Sequence, residues 1–547
     1  MDADVVVVGA GAAGGVLALE LARRGLRVTV LESGPRHDPA KRWDGVRRWL
    51  RHENPWERTP KTLDRYTVGG PQPYQLEGRR ARGVGGSTLH WEGYALRLHA
   101  SDFMLRSLHG VGDDWPIRYD DLEPYYAAAE RSLGVAGTAD DPWASPRSAP
   151  YPLPAFPFSH SDGLFSRACR TLGIGLHHLP QARNSVAYDG RPQCRACGTC
   201  FVCPTGAKAT ADLTHVAAAE ATGNARVVTE ATVKRLVTDD AGEVRAAVYA
   251  GPDGVERRAE ARVFVLAGGA VENARLLLLS TSRRFPAGLA NGSGLVGKCF
   301  MTHPSVTIQA RVRDRVHPYR IGFSTAMTRQ FAVGGDRGRR GAFLLEFLNA
   351  AGPTPEQIAV ASGRWGADLR EHVRAEFGRW MGIRIYAEEL PERTNAVTLN
   401  PRVRDALGVP APHIHHAIGA YERAALEEAR EVVGRIMTAL GALEVKPGPL
   451  SFAGHQMGTH RMGTDPRTSV VDPDQRAHEV PNLYLAGGGC FVTGSASPPT
   501  LTIVALAIRT AERIAARLAP PGRPSARAAG PGGTPAEPGA QRDATPA

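Results

Sequence analysis

Two clusters in this sequence have residue types and spacings that support chemistry. Gly9-Ala-Gly11-Ala-Ala-Gly14 stands directly after a run of valines. Each glycine meets a separate need: Gly9 permits a tight strand-to-helix turn, Gly11 lets the backbone approach a pyrophosphate, and Gly14 lets the helix pack closely. The helix N-terminus adds a dipole that favours the anion. Glu32 ends the next apolar run, where a carboxylate can hold ribose hydroxyls. This pattern predicts dinucleotide binding and does not separate FAD from NAD. The second cluster is Cys194-Arg-Ala-Cys197-Gly-Thr-Cys200-Phe-Val-Cys203-Pro204. Thiols at three-residue spacing ahead of a proline match closely spaced ligands that wrap an iron–sulfur core. A structural zinc site separates two cysteine pairs by a long loop, which this run lacks. The spacing is too tight for a general disulfide framework and points to a bound cofactor in a reducing, cytoplasmic compartment. Export with a companion subunit stays open, and reduced thiols without a cofactor are the plain alternative. Cys169, Cys299 and Cys490 are isolated and read as buried.

These groups need particular elements to position them. Val5 to Val8 reads as a strand, the Ala/Leu-rich stretch to about Arg24 as a helix, and Arg27 to Leu31 as a second strand, together a βαβ opening. Trp43 to Gly70 is polar and proline-punctuated, as a surface excursion would be. Residues 224–267 alternate like antiparallel strands and close on a short buried run, Val263 to Ala267. Residues 300–450 mix strand-like runs with a long amphipathic helix, Ala420 to Leu440, and carry no nucleotide motif, which marks them as the substrate domain. The last 28 residues hold seven prolines and almost no large apolar side chain. Such a stretch cannot offset its ordering entropy by burial and is expected to be a disordered tail.

At 547 residues, 42% hydrophobic and 22% charged, the chain is able to bury a large core, which excludes disordered, collagen-like and small disulfide-stapled classes. Net charge is +11, but the bases are scattered among acids rather than striped, which argues against nucleic acid. No stretch reaches the roughly 18–20 apolar residues of a membrane span, and neither a signal peptide nor a transmembrane helix is expected.

Further motifs occur in a fixed order: Gly83-Val-Gly-Gly-Ser-Thr-Leu-His90-Trp91, Val265-Leu-Ala-Gly-Gly-Ala-Val-Glu-Asn-Ala-Arg275, His455-Gln-Met-Gly-Thr-His-Arg-Met-Gly463 and Asn482-Leu-Tyr-Leu-Ala-Gly-Gly488. From residue 3 to 518 the chain resembles glucose-methanol-choline (GMC) oxidoreductases, nearest to pyranose-oxidase-like enzymes and the flavoprotein subunits of bacterial glucose and gluconate dehydrogenases. The resemblance implies an α/β fold in which a Rossmann-type FAD-binding domain is interleaved with an α+β substrate domain on an antiparallel sheet. Its expected boundaries are 1–100, 186–300 and 451–518 for FAD binding, 101–185 for a linking and substrate-domain segment, 301–450 for the substrate domain and 519–547 for the tail.

The resemblance also implies oxidation of an alcohol by hydride transfer to flavin N5. Such a reaction needs a base beside the hydroxyl, and neutral imidazole suits that role near pH 7. His455 matches the family's catalytic histidine. The family usually places a second polar partner where this chain has Pro498, so Ser497, Ser495 or His460 is expected to substitute. Gly85, Gly86 and Ser87 are expected at the pyrophosphate or ring. Ala267, Gly268, Gly487 and Gly488 fall in matched cofactor motifs, and Thr500, Leu501 and Thr502 have the form of the segment that approaches the ring. His90 matches a position where some relatives attach FAD covalently, whereas in others it packs beside the flavin. The cysteine run matches a place where dehydrogenase subunits hold a three-iron cluster, although the last gap is shorter here and candidate ligands number four. His303-Pro304 and Glu389-Leu-Pro391 match family segments read as architecture, and the latter tilts the substrate toward a carbohydrate, polyol or glycoside. The electron acceptor is external, by way of the iron–sulfur cluster and a small companion or cytochrome subunit, or is dioxygen in the oxidase alternative. A non-redox lyase on the flavin scaffold is the remaining one.

Overall fold

β-branched side chains on both faces suit a strand buried on both sides, and Val5–Val8 forms the central strand of a five-stranded parallel sheet. The computed structural model describes residues 3–56, 59–318 and 321–519. The sheet runs in the order Leu483–Leu485, Val263–Leu266, Val5–Val8, Val28–Leu31 and Ala225–Val228. In register, Val5 lies between Val263 and Val28. Strand order reverses at Val5–Val8, and a crevice opens beyond the carboxyl end of a strand at such a switch point. Helix Ala12–Arg23 begins there and packs against the final helix, Thr500–Leu518.

A second sheet is antiparallel, in the order Glu444–Pro447, Pro304–Arg311, Trp380–Ala387, Phe343–Leu348, Ser324–Thr328 and His177–His178. One face carries Val306, Ile308, Ile383, Ile385 and Phe347, packed with apolar residues of helix Ala420–Ala439. The alternation in Pro304–Arg311 follows from that one-sided burial. The other face of Trp380–Ala387 presents Arg384 and Tyr386 toward the parallel sheet's crevice.

Two expectations need adjustment. Within 224–267 only Thr232–Thr238, Val244–Ala250 and Glu256–Glu260 form an antiparallel meander, while Ala225–Val228 joins the parallel sheet. A four-residue edge strand and a meander strand share the same two-residue period, so alternation alone does not separate them. The stretch after Trp43 is not wholly irregular, because Arg42–Leu50 is a helix whose Val46 packs with Trp56, Leu89 and Val202. The proline-rich tail lies outside the described residues, as does the start of the chain. Among the described residues no helix is long and apolar enough to cross a membrane.

Candidate active site

The glycine turn is shaped by contacts that exclude side chains. Gly9 holds φ +101°, and a Cβ there would lie 2.7 Å from the carbonyl oxygen of Ala267. Gly14 sits in the first helix with its missing Cβ position 1.9 Å from the carbonyl oxygen of Gly9. No side chain caps helix Ala12–Arg23, so its first amides need partners from outside the helix. Glu32 Oε2 accepts from the Ala10 amide at 2.9 Å, and Oε1 accepts from Gly34 and Gly83 at 2.8 and 3.1 Å. Burial raises its carboxyl pKa against the pull of those three amides. The carboxylate therefore ties the second strand, the glycine turn and the Gly83 loop into one wall.

That wall lines a cavity of about 480 Å³. Gly9, Gly11 and Glu32 border it, as do Gly86, Ser87, His90, Ala267, Gly268, Gly487, Gly488 and Thr500. An uncapped helix N-terminus, a side-chain-free turn and a carboxylate on one cavity fit a dinucleotide with its pyrophosphate at the helix. Gly14 and Gly85 stand behind the lining, Gly14 against the turn and Gly85 with its amide donating to the Ala10 carbonyl at 2.9 Å.

At the other end, His455 lies among Tyr386, Arg384, Glu92 and Tyr94. Arg384 Nη1 donates to Glu92 Oε2 at 3.1 Å and to the Tyr386 hydroxyl at 2.8 Å. Tyr94 donates to the buried Glu346 at 2.5 Å. Burial pushes Glu346 up to about 7 despite the nearby guanidinium. His455 Nδ1 meets His303 Nδ1 at 2.8 Å, and among the described residues no protein group is hydrogen-bonded to His455 Nε2. Burial, aided by His303 and Arg384, holds the His455 pKa well below that of free imidazole, so the ring is neutral.

Four expected residues take other places. His460 is buried beneath Gly489, whose Cβ position would be 2.0 Å from its Nε2, and Nε2 accepts from Asn273 Nδ2 at 3.2 Å. It lies off the cavity, because the turn at Gly458 points His455 and His460 to different sides. Ser497 is buried and also off the lining. Leu501 packs in the core, and Thr502 Oγ1 bonds the Tyr126 hydroxyl at 2.8 Å, so of the three expected residues only Thr500 reaches the cavity, joined from the same helix by Ile503. A helix can turn only part of its surface to one site. Conversely, His303 sits at the site although its motif reads as architecture. The signal that would have found it is a histidine ahead of a strand, but its partner is 152 residues away.

The cysteine loop packs behind His90. Phe201 lines the cavity and meets the His90 ring edge-on at 5.5 Å between centroids. Arg183 Nη1 lies 3.5 Å from Cys194 Sγ and 3.8 Å from Cys200 Sγ, and the Lys208 amide donates to Cys203 Sγ at 3.2 Å. Cys197 is exposed and pairs with Thr199 Oγ1 at 3.0 Å. All four thiols are free, and among the described residues no three His, Cys, Asp or Glu side chains converge on a site for a single metal ion. Arg183, Arg191 and Lys208 are buried around this loop, and none forms an ion pair with a carboxylate among the described residues. Buried cations without acidic partners are costly, so the loop fits an anionic group such as an iron–sulfur core held by thiolates.

Known proteins resemble the chain along nearly its whole length. It is 32% identical over 540 residues to the fructose dehydrogenase large subunit of Gluconobacter japonicus, covering 94% of this chain and 98% of that one. It is 31% identical over 537 residues to 2-methyl-1,2-propanediol dehydrogenase of Mycolicibacterium austroafricanum, covering 94% and 95%. Pyridoxine 4-oxidase from Mesorbium loti shares the fold at a TM-score of 0.61 and 19% identity, covering 93% and 99%. The GMC oxidoreductase models match residues 3–305 and 391–507, the two stretches that supply the glycine cradle and His455. A chain so matched at both ends of one cavity belongs to the GMC oxidoreductase family.

Proposed function

We propose that this flavoprotein oxidises a CH–OH group of a sugar, polyol or glycoside, with His455 Nε2 taking the hydroxyl proton. The observation that carries the reading is an unpartnered imidazole nitrogen sharing one cavity with the dinucleotide cradle. Bound FAD supplies the acceptor for the carbinol hydride. The chain's own task is to place the hydroxyl, keep its proton path short and exclude water. Arg384, Glu92 and Tyr386 present donors and acceptors beside His455, which suits a substrate carrying further hydroxyls. Relatives named for fructose and a propanediol support that class.

The reading is tested by anaerobic reduction of the bound flavin with a panel of sugars and polyols, followed by an artificial electron acceptor. Reduction by none of them, or turnover without electron transfer, would favour the lyase alternative. Peroxide formed in step with substrate consumption would favour an oxidase over a dehydrogenase.

The lowered His455 pKa has a kinetic sign. A general base acts unprotonated, and a group whose pKa is depressed stays unprotonated to lower pH. Free imidazole would lose half its competence near 6.5. The rate constant for flavin reduction is expected to stay flat from pH 8 down to 6, with its acid limb at lower pH. A fall centred on 6.5 would contradict the buried geometry.

For the cysteine loop we read an iron–sulfur cluster held by several of Cys194, Cys197, Cys200 and Cys203. When bound, it supplies a one-electron carrier behind the His90 wall, on the way to an external acceptor or a small companion or cytochrome subunit. The uncompensated charge of Arg183, Arg191 and Lys208 supports this, because a thiolate-bound core would answer it. The double variant Cys197→Ser, Cys200→Ser is expected to lose its iron, read by metal analysis of anaerobically purified protein. Full iron retention would dismiss the assignment.

Burial and the Lys208 ammonium push His90 down to about 4, so it faces the cavity as a neutral ring. We read it as packing against the flavin rather than bonding it. Acid precipitation is then expected to leave FAD in the supernatant. Yellow flavin in the pellet that His90→Ala releases would establish the covalent bond instead.

A further inference from the structure

The His455 ring has a second imidazole behind it. His303 immediately precedes strand Pro304–Arg311 and is buried. The two Nδ1 atoms are 2.8 Å apart, with the rings crossed at 78°. On its far side, His303 Nε2 lies 3.3 Å from the carbonyl oxygen of Gly494. A carbonyl only accepts, so His303 carries its hydrogen on Nε2, and in a neutral ring Nδ1 is then a bare acceptor. A hydrogen bond between the facing Nδ1 atoms therefore takes its hydrogen from His455. We infer that His303 is a positioning residue that holds His455 as the Nδ1–H tautomer, directing the Nε2 lone pair at the substrate hydroxyl. This rests on reading His455 as the base.

The surroundings keep His303 in that role. Burial holds its pKa at about 4, so it remains a neutral acceptor. The Gly494 carbonyl is set by a turn in which Ser495 adopts φ +53°, an unfavourable conformation for a residue with a side chain. Ser495 Oγ anchors that turn by donating to Asp102 Oδ2 at 2.8 Å. Asp102 Oδ1 accepts from Arg337 Nη1 at 2.7 Å, and Arg337 Nη2 donates to Glu388 Oε1 at 2.7 Å. Glu388 directly follows strand Trp380–Ala387, which carries Arg384 and Tyr386. One buried chain thus couples the substrate wall to the ring behind the base. The arrangement also accounts for Pro498, since the partner expected from that segment comes from before Pro304 instead. When His455 takes the substrate proton at Nε2 it carries both ring hydrogens. Its Nδ1–H stays donated to His303, and no proton leaves the pair.

The test compares His303→Ala, His303→Leu and His303→Asn holoenzymes. Fixing the orientation and tautomer of a base draws on its general contribution of about 10²- to 10⁴-fold, and the expected loss in flavin reduction is about 10²-fold for Ala and Leu. KM is expected to change by less than about threefold, with FAD stoichiometry unchanged. His303→Asn, which keeps an acceptor near the Nδ1 position, is expected to recover to within about fivefold of the parent. In a His455→Ala background, His303→Ala is expected to cost less than about twofold more, since coupled residues are not additive. A full further loss there, or Asn no better than Leu, would leave His303 with packing alone and overturn the inference. A harmless His303→Ala beside a damaging His455→Ala would remove this inference and keep the base. A harmless His455→Ala would remove both. If His303→Ala does not fold, ¹⁵N-histidine spectra of the unmodified holoenzyme read the tautomer directly, and hydrogen on His455 Nε2 in the neutral ring would overturn it.

Discussion

His455→Ala should retain FAD and substrate while losing flavin reduction by about 10³- to 10⁴-fold. The cofactor cradle is built by Gly9, Gly14 and Glu32 at the opposite end of the cavity, so loss of the imidazole leaves it intact. Without a positioned base, the hydroxyl proton must reach water as the carbinol hydride departs. A general base commonly contributes about 10²- to 10⁴-fold, or roughly 3 to 5.5 kcal/mol at about 1.36 kcal/mol per decade. The upper half of that range is expected because, among the described residues, no other imidazole lines the cavity near Tyr386: His303 lies behind His455, and His460 lies beneath Gly489. Anaerobic stopped-flow reduction by a working sugar is the measurement. A variant within about threefold of the parent would take His455 out of the mechanism.

Gly14→Ala should abolish FAD binding while leaving the antiparallel sheet folded. The added methyl would lie 1.9 Å from a backbone oxygen of the turn it packs against. Neither partner is a flexible side-chain end, so the helix must move away from the sheet. Overpacking a tight contact commonly costs 1–3 kcal/mol. Here the displaced groups include the first amides of the helix, which would receive the pyrophosphate. Flavin bound per chain, from the absorption spectrum of purified protein, is expected to fall to near zero. Circular dichroism is expected to keep most of its strand signal. A variant with one flavin per chain would show that the Gly9 turn can yield without loss of the site.

The opening βαβ unit, the ordered motifs and His455 were legible in the sequence because each is set by local rules: turn geometry, strand period and a motif within ten residues. The same rules failed where a site depends on direction. Gly458-Thr-His460 belongs to the same run as His455, yet a positive φ at Gly458 and Thr459 turns the chain, and His460 ends under Gly489. Thr500 reaches the cavity and Thr502 does not, since two residues along a helix rotate a side chain to another face. His303 was hidden for the opposite reason. Its pairing with His455 joins two neighbouring strands of the antiparallel sheet, Pro304–Arg311 and Ser451–Phe452, that lie far apart in the sequence, and leaves no pattern in either neighbourhood. The cation surplus around the cysteines was equally invisible, because Arg183 and Lys208 look like ordinary surface residues until they are found buried without an ion-paired carboxylate among the described residues.

The position of Leu483–Leu485 at the edge of the parallel sheet has a consequence for biosynthesis. Its one neighbour in the sheet, Val263–Leu266, is made long before it. At roughly 5–20 residues per second, the ribosome takes about 25–100 s to reach that strand. Gly487 and Gly488, which follow it, line the cofactor cavity. A nascent chain thus carries an unpaired edge at Val263–Leu266 from the time that strand is made until Leu483–Leu485 follows, and the cofactor cavity lacks Gly487 and Gly488 until then. Closure of the flavin site is therefore expected only after Gly488 has left the ribosome.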